Sequence, residues 1–566
     1  MVENSQSVKS WTLPTTNIVF LDIETDGLHP SVIHCVVTKR PNEDHCLHTC
    51  RESLFEELAR GGHVCGHNYI GFDGPVLEKL WDIRIHPDRV LDTLVMSRLF
   101  HPDVQGGHSL AIWGEKLRFP KGDHDDWSQL SEAMIKYCMR DVSVTEKLYE
   151  MLCKQLHMFA FSDTSVYLEH AVAHICKEQE DNGFGFNVTD AKKLERQLET
   201  KMLGIEAALQ TVFPPSAEEQ RYHKTTGKPL PVRYTHFNVG SRQQIADRLE
   251  KKGARWKEKT PSGKPKVDEA TLKKNLHVPE AKMVLEYLLL QKRHSQVLSW
   301  IKAEDGGRIH GRVKHIGAVT GRMAHSNPNL AQVPAVYADY GTECRSLFIV
   351  PPDRILVGAD ASGLELRMLA HYMDDEAYTR EILEGDIHTA NQHAAGLDTR
   401  SQAKTFIYAF LYGAGNAKIG SVVGGNARKG GELKDKFLEN TPALAQLRQE
   451  ITMQAESGFL DGLDGRRLRV RSAHAALNTL LQGAGAVVMK QAVIHLYELL
   501  EHVDFKLVAQ VHDEWQIECH PEDAEYVGKA AVKAIIQAGE TFNLNCPLDG
   551  EYRIGSNWAE THSHNL

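Results

Sequence analysis

The sequence predicts a multidomain α/β protein. Its 566 residues exceed the roughly 100–200 of a typical domain, so several domains are expected. A mixed helix and strand pattern occupies residues 17–155, long helical patterns dominate 168–302, and a mixed pattern resumes from 303 to the end. Hydrophobic residues make up 42% and charged residues 25%, which is ordinary for a globular protein with a sizeable core.

Composition narrows the class of protein only a little. The net charge of −10 argues against a nucleic-acid binder. The argument weakens if basic residues are concentrated in local patches that could bind nucleic acid. The ten cysteines include no CxxC pair, which predicts reduced thiols in a cytosolic protein. Residues 1–16 form a polar tail without a signal-peptide pattern, and no apolar run is long enough to span a membrane, so a cytoplasmic location is expected.

The first predicted strand, within NIVFLDIETDGL, carries two acids near its end. Asp22 and Glu24 are two residues apart, so both side chains project to one face. Neighbouring carboxylates repel each other, and Mg²⁺ prefers oxygen ligands. One interpretation is a metal site; the other is a turn at Asp26 and Gly27 with a solvated Glu24.

Two later segments favour the metal site. GHNYIGFDGPVLEKL places Asn68 and Asp73 just before an amphipathic helix, and YCMRDVSVTEKLY places Tyr137 and Asp141 one helical turn apart. The ordered set over residues 17–155 resembles the DEDD 3′–5′ exonuclease family. The resemblance implies an RNase H-like domain in which Tyr137 orients the attacking water and two Mg²⁺ ions are held by four acids: Asp22, Glu24, Asp73 and Asp141.

A second acidic strand end lies in RILVGADASGLELRMLAHYM. The strand Ile355–Ala359 leads to Asp360, and a helical pattern follows in which Glu365 interrupts an apolar stretch. An N-cap role at a buried strand–helix junction would explain Asp360 but would leave Glu365 without a reason.

A basic and aromatic stripe follows on a helix predicted to begin near Thr399, with Asp398 or Thr399 as its cap. Arg400, Lys404, Tyr408 and Tyr412 recur every four residues and share one face. The stripe indicates either an amphipathic surface or a clamp for a triphosphate, with cations on phosphate oxygens and rings against sugar and base.

Near the C-terminus, KLVAQVHDEWQIEC reads as two apolar strands, residues 507–511 and 515–519, separated by His512, Asp513 and Glu514. Because an unpaired buried carboxylate is costly, two acids between buried strands predict a bound cation.

These segments appear in the order of the family A DNA polymerases. The stretches at 320–334, 359–367, 404–415 and 474–486 most resemble the replicative polymerases of short-tailed bacteriophages, and the likeness covers nearly all of the chain after residue 16. It implies an exonuclease domain followed by a right-hand polymerase. The implied thumb spans 168–302, the palm 303–372 and 478–566, and the fingers 373–477.

The resemblance also implies residue roles. Asp360, Ala361 and Asp513 would hold two Mg²⁺ ions, with Glu514 supporting the site. Glu365 would exclude a 2′-hydroxyl. The incoming deoxynucleoside triphosphate would meet His388, Arg400, Lys404, Tyr408 beside its sugar and Tyr412 beside the templating base. The primer–template would meet Arg322, His474, Asn478, Gln482 and, near the primer terminus, His512.

Partners follow from the same resemblance. Primer–template DNA and deoxynucleoside triphosphates are expected, together with a replicative helicase–primase and a single-stranded DNA-binding protein. A thioredoxin clamp is doubtful because the stretch from Val212 to Val239, where some phage relatives carry a long insertion, is short. Arg467, Arg469 and Arg471 alternate on one strand face, either against the DNA backbone or as a solvated edge.

Two rival functions remain open on the sequence alone. A bacterial-type repair polymerase would share the same fold. A DNA-binding scaffold with a degenerate site is the other alternative, and the intact acids at 360 and 513 count against it.

Overall fold

The computed structural model describes residues 11–562. The first part of the described chain folds into an N-terminal unit. Its five-stranded sheet has the order β3-β2-β1-β4-β5, in which β1 runs antiparallel to β2 and parallel to β4. The strands are β1 (Ile18–Thr25), β2 (Ile33–Lys39), β3 (Cys46–His48), β4 (His63–Gly66) and β5 (Val90–Asp92). The helices are α1 (Arg51–Ala59), α2 (Gly74–Trp81), α3 (Thr93–Phe100), α4 (Leu110–Lys116) and α5 (Glu132–Met158).

The start of the described chain differs from the expected polar tail. Leu13 is buried in an apolar cluster that includes Phe161 and Val166. Its amide also donates to the Asp163 carboxylate at 2.9 Å. Part of the expected tail therefore packs against the fold, through the contacts of one leucine that the polarity of the segment does not reveal. Residues 1–10 lie outside the described part of the chain.

Long helices follow, as the sequence predicts. They are α6 (Asp163–Asn182), α7 (Val188–Val212), α8 (Arg242–Glu250), α9 (Glu269–Lys273) and α10 (Pro279–Ala303), with short strands β6 (Phe184–Phe186), β7 (Ser216–Ala217) and β8 (Tyr234–Thr235) between them. Gly183 ends α6 with a φ of 61°, a left-handed value that suits glycine. The connection between α5 and α6 is only residues 159–162, because α5 continues to Met158 and the Ser162 side chain caps α6.

The central sheet carries the second pair of predicted acids. Its strands are β14 (Ile355–Ala361), β17 (Phe505–Val511), β18 (Glu514–Cys519) and β19 (Gly550–Gly555), in the order β17-β18-β14-β19 with antiparallel pairing throughout. A smaller sheet joins β6 to β9 (Glu304–Asp305), β10 (Arg308–Ile309) and β13 (Phe348–Ile349). Two hairpins pair β11 (Arg312–Lys314) with β12 (Ala324–Ser326), and β15 (Phe459–Asp461) with β16 (Arg467–Arg469).

Helices pack around that sheet. They are α11 (Gly341–Arg345), α12 (Leu364–Met373), α13 (Glu376–Leu383), α14 (Ile387–Ala395), α15 (Arg400–Leu411), α16 (Asn416–Ser421), α17 (Ala427–Glu439), α18 (Pro442–Ala455), α19 (Ala476–Leu499), α20 (Ala524–Thr541) and α21 (Trp558–Thr561). One large apolar core joins α6, α12, α15, α19 and α20 to β14 and β18. In the stretch 11–562 there is no helix with the length and apolar character needed to cross a membrane.

Candidate active sites

The central sheet brings Asp360 and Asp513 together from distant parts of the sequence. Asp360 is the penultimate residue of β14, and Asp513 lies in the turn between β17 and β18. Strand pairing aligns Asp360 with Glu514, and the Ala361 amide donates to the Asp513 carbonyl at 3.1 Å. The two carboxylates therefore arise from adjacent backbone positions at one end of the sheet, as the sequence predicts.

Both carboxylates lie in surroundings that disfavour a lone negative charge. Burial, and then the charges of Asp513, Glu514 and Glu551, raise the pKa of Asp360 to about 8. Burial also raises the pKa of Asp513 to about 6, with a further contribution from Glu365. A divalent cation would relieve this repulsion, and carboxylate oxygens are the ligands that Mg²⁺ prefers, so the donor set fits such an ion.

A cavity of about 120 Å³ opens beside Asp513. Residues from α12, α19, β12, β17 and β18 and from the loops beside them line it, among them Arg322, Glu365, Gln482, His512 and Asp513. The structure thus brings together, around one cavity, side chains to which the resemblance assigns separate roles in binding nucleotide, primer–template and metal.

Glu365 links two helices at this cavity. It lies in the first turn of α12, and its carboxylate accepts a hydrogen bond from the Tyr412 hydroxyl at 2.5 Å. Arg322 Nη2 lies 3.4 Å from the same Glu365 oxygen. Tyr412 caps the C-terminus of α15 and is 46% exposed, so its ring borders open solvent. The contact fixes the direction in which Glu365 points.

The predicted stripe on α15 is present. Thr399 caps the helix through a reciprocal pair of hydrogen bonds with Gln402. Arg400 Nε donates to the Asp386 carboxylate at 2.6 Å, which ties the stripe to the N-cap of α14. Lys404 has no carboxylate within ion-pair distance among residues 11–562, and burial together with the Arg400 charge lowers its pKa. Lys404 is therefore a cation available for an anionic ligand.

His388 and Tyr408 complete this surface. Their ring centroids lie 6.2 Å apart, across the contact between α14 and α15. His388 Nδ1 is buried without a hydrogen-bond partner in the described chain. Burial, followed by the charges of Glu365 and Asp513, raises the pKa of Tyr408 to about 12, so its hydroxyl stays protonated near the two acids.

Three further predicted residues lie at or just before the start of α19. His474 belongs to a short 3₁₀ turn that precedes the helix, while Asn478 and Gln482 lie one turn apart on the helix itself. Gln482 reaches the cavity beside Asp513. The His474 carbonyl lies near Gly413, so this end of α19 also adjoins the end of α15.

Glu514 differs from its neighbour Asp513. It is the first residue of β18 rather than part of the turn, and it is buried. Its carboxylate accepts hydrogen bonds from Trp558 Nε1 at 2.5 Å and Gln516 Nε2 at 2.6 Å, and it pairs with His562 Nδ1 at 2.7 Å. These contacts fix the first residue of β18 and so support the adjoining turn that carries Asp513.

The second acidic cluster lies on the N-terminal sheet. Asp22 and Glu24 project from one face of β1, and one carboxylate oxygen from each lies within 4.8 Å of the Cys138 thiol on α5. Burial and neighbouring acids raise the pKa of Asp22 to about 7 and that of Glu24 to about 10. A solvated Glu24 is excluded, because the residue is buried and its Oε1 has no hydrogen-bond partner in the described chain.

Asp141, Tyr137 and Asp73 join this cluster. Asp141 adds a negative charge beside Asp22, and Tyr137 lies one turn earlier on α5. Asp73 is buried just before α2, where burial and the Asp22 charge raise its pKa well above the ordinary value. The carboxylates would accommodate divalent cations for the same reason as the central pair.

Sequence reasoning missed three residues near these sites. Lys121 Nζ lies 2.5 Å from Asp141 Oδ2 and 4.7 Å from the Tyr137 ring centroid, so it supplies a cation to the N-terminal cluster. His325 and Lys490 line the central cavity. His325 lies three residues after Arg322, within the stretch 320–334 that resembles the phage polymerases, so the sequence could have indicated His325 as a site residue. The two lysines lie in segments without a distinctive pattern.

The arginine cluster has partners within the protein. Arg469 Nη1 pairs with Asp103 at 2.7 Å, and Arg467 Nε donates to the Phe159 carbonyl at 3.1 Å. Both contacts join the β15–β16 hairpin to the N-terminal unit. The preceding residue, Arg466, is buried and does not belong to the predicted arginine face. Arg471 lies beyond the end of β16, so the predicted face of three arginines includes only two on the strand.

Comparisons with known proteins place this geometry in context. The model of the family described as DNA polymerase family A matches residues 216–560. The chain is 35% identical to the DNA-directed DNA polymerase of Escherichia phage T7, over 96% of this chain and 100% of that protein. It is likewise 35% identical to the DNA-directed DNA polymerase of Enterobacteria phage T3, over 96% of this chain and 99% of that protein.

A solved structure shares the fold. The POL domain of Pol1 from M. smegmatis, in complex with DNA primer-template and dNTP, matches with a TM-score of 0.81. The match covers 97% of each chain at 18% sequence identity, so it bears on fold alone.

Proposed function

This chain belongs to DNA polymerase family A and is a DNA-directed DNA polymerase, and we propose that Asp360 and Asp513 form its polymerisation centre. The observation that carries the proposal is their meeting at one end of the central sheet, beside a cavity bordered by Arg322 and Glu365. The enzyme extends a primer by joining its 3′-hydroxyl to the α-phosphate of a deoxynucleoside triphosphate, with release of pyrophosphate.

The domain assignment is part of the same proposal. The exonuclease domain is residues 17–155 and the thumb is 168–302. The palm combines 303–372 and 478–566, and the fingers are 373–477. The palm then contains the whole central sheet and all but the first two residues of α19, while the stripe on α15 belongs to the fingers.

Divalent cations, generally Mg²⁺ in this family, would supply Lewis-acid activation of the hydroxyl and charge neutralisation on the phosphates. Asp360, Asp513 and the backbone of Ala361 are the groups proposed to hold them. The protein would add cations of its own. Lys404 and Arg400 bind and orient the triphosphate, and charge-assisted hydrogen bonds of this kind are stronger than neutral ones.

Selection of the sugar is assigned to Glu365. The Tyr412 hydroxyl holds its carboxylate in place, so the space beside it is narrow and polar rather than open. Tyr408 lies near the same carboxylate and Asp513, and its hydroxyl is proposed to face the sugar of the incoming nucleotide. Arg322, His474, Asn478 and Gln482 would contact the primer–template near its end, and His512 would lie near the primer terminus.

A 3′–5′ proofreading exonuclease is proposed for the N-terminal unit. Asp22, Glu24, Asp73 and Asp141 would hold divalent cations, and Tyr137 would orient the attacking water. Lys121 contacts Asp141 and Tyr137, and its positive charge is proposed to meet the phosphodiester of the substrate.

Replication of a phage genome is the proposed role, supported by the 35% identity with the T7 and T3 phage polymerases along nearly the whole chain. A helicase–primase and a single-stranded DNA-binding protein are proposed partners. The segment between α7 and α8 holds only two short strands, which is why a thioredoxin clamp is not proposed. Repair synthesis in a bacterium is the alternative.

The experiment compares long-template extension and mismatch excision in two variants. Asp22→Ala with Glu24→Ala should abolish removal of a mismatched 3′ nucleotide and leave extension intact. Asp513→Ala should abolish extension and leave excision intact. Wild-type extension by Asp513→Ala would refute the polymerisation centre, and wild-type excision by the double variant would refute the exonuclease. Extension of only a few nucleotides per binding event on a long template, even with host extract, would favour repair.

A further inference from the structure

A buried charge cluster lies behind the polymerisation cavity. Glu169 on α6 accepts from Lys490 Nζ on α19 at 2.7 and 2.9 Å, and it pairs with Arg466 Nη2 at 2.7 Å. Arg466 also pairs with Asp464 at 2.8 Å, and His315 Nδ1 lies 2.7 Å from the second oxygen of Glu169. The side chains of Glu169, Lys490 and Arg466 are at most 2% exposed, so solvent does not screen these interactions.

Stability alone is a poor reason for such a cluster. Two acids face two bases, and burial lowers the pKa of His315 to about 4, so the set is neutral at physiological pH. The desolvation of buried ions commonly offsets their attraction, and well-packed apolar residues often replace them without loss of stability. Hydrogen-bonded ions fix the positions of their partners more precisely than apolar residues do. The cluster is therefore expected to hold a particular part of the structure in place.

The cluster holds the loop that carries Arg322. Lys490 Nζ donates a third hydrogen bond, at 2.8 Å, to the carbonyl of Gly321. Gly321 has a φ of +81°, and a Cβ added there would lie 2.9 Å from Arg466 Nη1. The loop is thus clamped between two buried cations at a left-handed position that suits glycine. The next residue, Arg322, borders the cavity and reaches Glu365.

We infer that Lys490 is a positioning residue for polymerisation, which acts by anchoring the Gly321 carbonyl and so setting the reach of Arg322 toward the primer end. Although Lys490 lies in the wall of the cavity, its side chain is only 1% exposed and the three hydrogen bonds of its ammonium are directed to Glu169 and Gly321, so no direct contact with substrate is assigned to it. The inference rests on the proposed function, in that it takes Arg322 to contact the primer terminus.

The first test separates positioning from folding. Lys490→Met removes the anchor but leaves two acids against Arg466, so the variant can lose stability through charge imbalance alone. Lys490→Met combined with Glu169→Gln also lacks the anchor, yet it leaves only the balanced pair of Asp464 and Arg466. Its melting temperature should therefore return toward that of the wild type. Its kcat/KM for extension of a matched primer should remain about tenfold to hundredfold low, which is the range for misplacement of a contact group.

The second test asks whether Lys490 acts through Arg322. Arg322→Ala should lower extension on its own. If the lysine works by placing that arginine, Lys490→Met should lower extension much less in the Arg322→Ala background than in the wild type, since the two changes remove one interaction. Single-strand excision by the N-terminal unit, measured in the same preparations, should stay within about twofold of the wild type in every variant, which excludes general unfolding.

Three outcomes would overturn the inference. Recovery of extension together with melting temperature in the charge-balanced variant would show that Lys490 is only structural. Independent, multiplying effects of Lys490→Met and Arg322→Ala would show that it does not act through Arg322. Normal extension by Arg322→Ala would refute the proposed placement of the primer end, and the inference would fall with it. The first two results would leave that placement standing.

Discussion

Replacement of Glu365 by alanine tests the contact that joins α12 to the end of α15. The Glu365 carboxylate accepts from Tyr412 at 2.5 Å and lies 3.4 Å from Arg322, so alanine removes both contacts and the bulk that narrows the sugar space. A hydrogen bond to a charged group contributes about 1.5–3 kcal/mol. Because Tyr412 is 46% exposed, the lower end of that range applies. About 1.4 kcal/mol corresponds to a tenfold change in a rate ratio.

We therefore expect Glu365→Ala to lower the preference for deoxynucleotides over ribonucleotides about tenfold. The assay is the ratio of kcat/KM for the two triphosphates opposite one template base. Asp22→Ala with Glu24→Ala should form the background, so that excision does not mask incorporation.

Tyr412→Phe is the matched control. It keeps the Glu365 carboxylate and the ring but removes the hydroxyl that orients the carboxylate, so the preference should fall less, by about twofold to fivefold. An unchanged ratio in Glu365→Ala would refute the sugar-selection role. A larger effect from Tyr412→Phe than from Glu365→Ala would show that the ring, rather than the carboxylate, forms the barrier.

Three further outcomes are expected. Lys404→Ala should raise the KM for deoxynucleoside triphosphates about tenfold or more without slowing single-strand excision, because an unpaired cation is lost from the phosphate site; steady-state kinetics with equal KM values would contradict this. Tyr408→Phe should raise discrimination against dideoxynucleotides roughly five- to 150-fold, because the hydroxyl can replace a hydrogen bond of the missing 3′-hydroxyl; competition between the two substrates measures it. His315 is neutral when folded, with a pKa lowered to about 4 against about 6.5 when unfolded. The unfolded chain therefore binds more protons between these values, and the free energy of unfolding falls as pH falls from about 6.5 to 4. His315→Gln should reduce that slope by up to about one proton in denaturant titrations, and parallel slopes would refute the assignment.

Local patterns predicted the elements that carry the sites. The two apolar runs in KLVAQVHDEWQIEC predicted two strands with Asp513 between them, and the structure extends them to Phe505–Val511 and Glu514–Cys519. The cap at Thr399 and the spacing of four residues predicted the stripe on α15. Side chains at fixed intervals along a strand or helix share a face whatever the rest of the fold does, which is why these predictions hold.

Long-range pairing decided what the sequence did not show. Glu514 follows Asp513 directly, yet pairing with both Val511 and Asp360 makes it a strand residue, and its carboxylate lies against Trp558 instead of in the turn. Lys490 lies in an apolar stretch of α19 whose pattern predicts only core. Its role depends on Glu169, 321 positions away in the sequence, and no local pattern encodes such a partner.

We propose that the Asp360 carboxylate lies at the reacting centre of the polymerase. The most direct measurement is the single-turnover rate of adding one deoxynucleotide to a matched primer by Asp360→Asn. Asp353→Asn, at an exposed loop position just before the same strand, serves as the control. Asp360→Asn should lose nearly all incorporation while it still binds primer–template and still excises single-stranded ends, and Asp353→Asn should match the wild type. Incorporation by Asp360→Asn at a rate within a few fold of the control would refute the role of Asp360 in polymerisation.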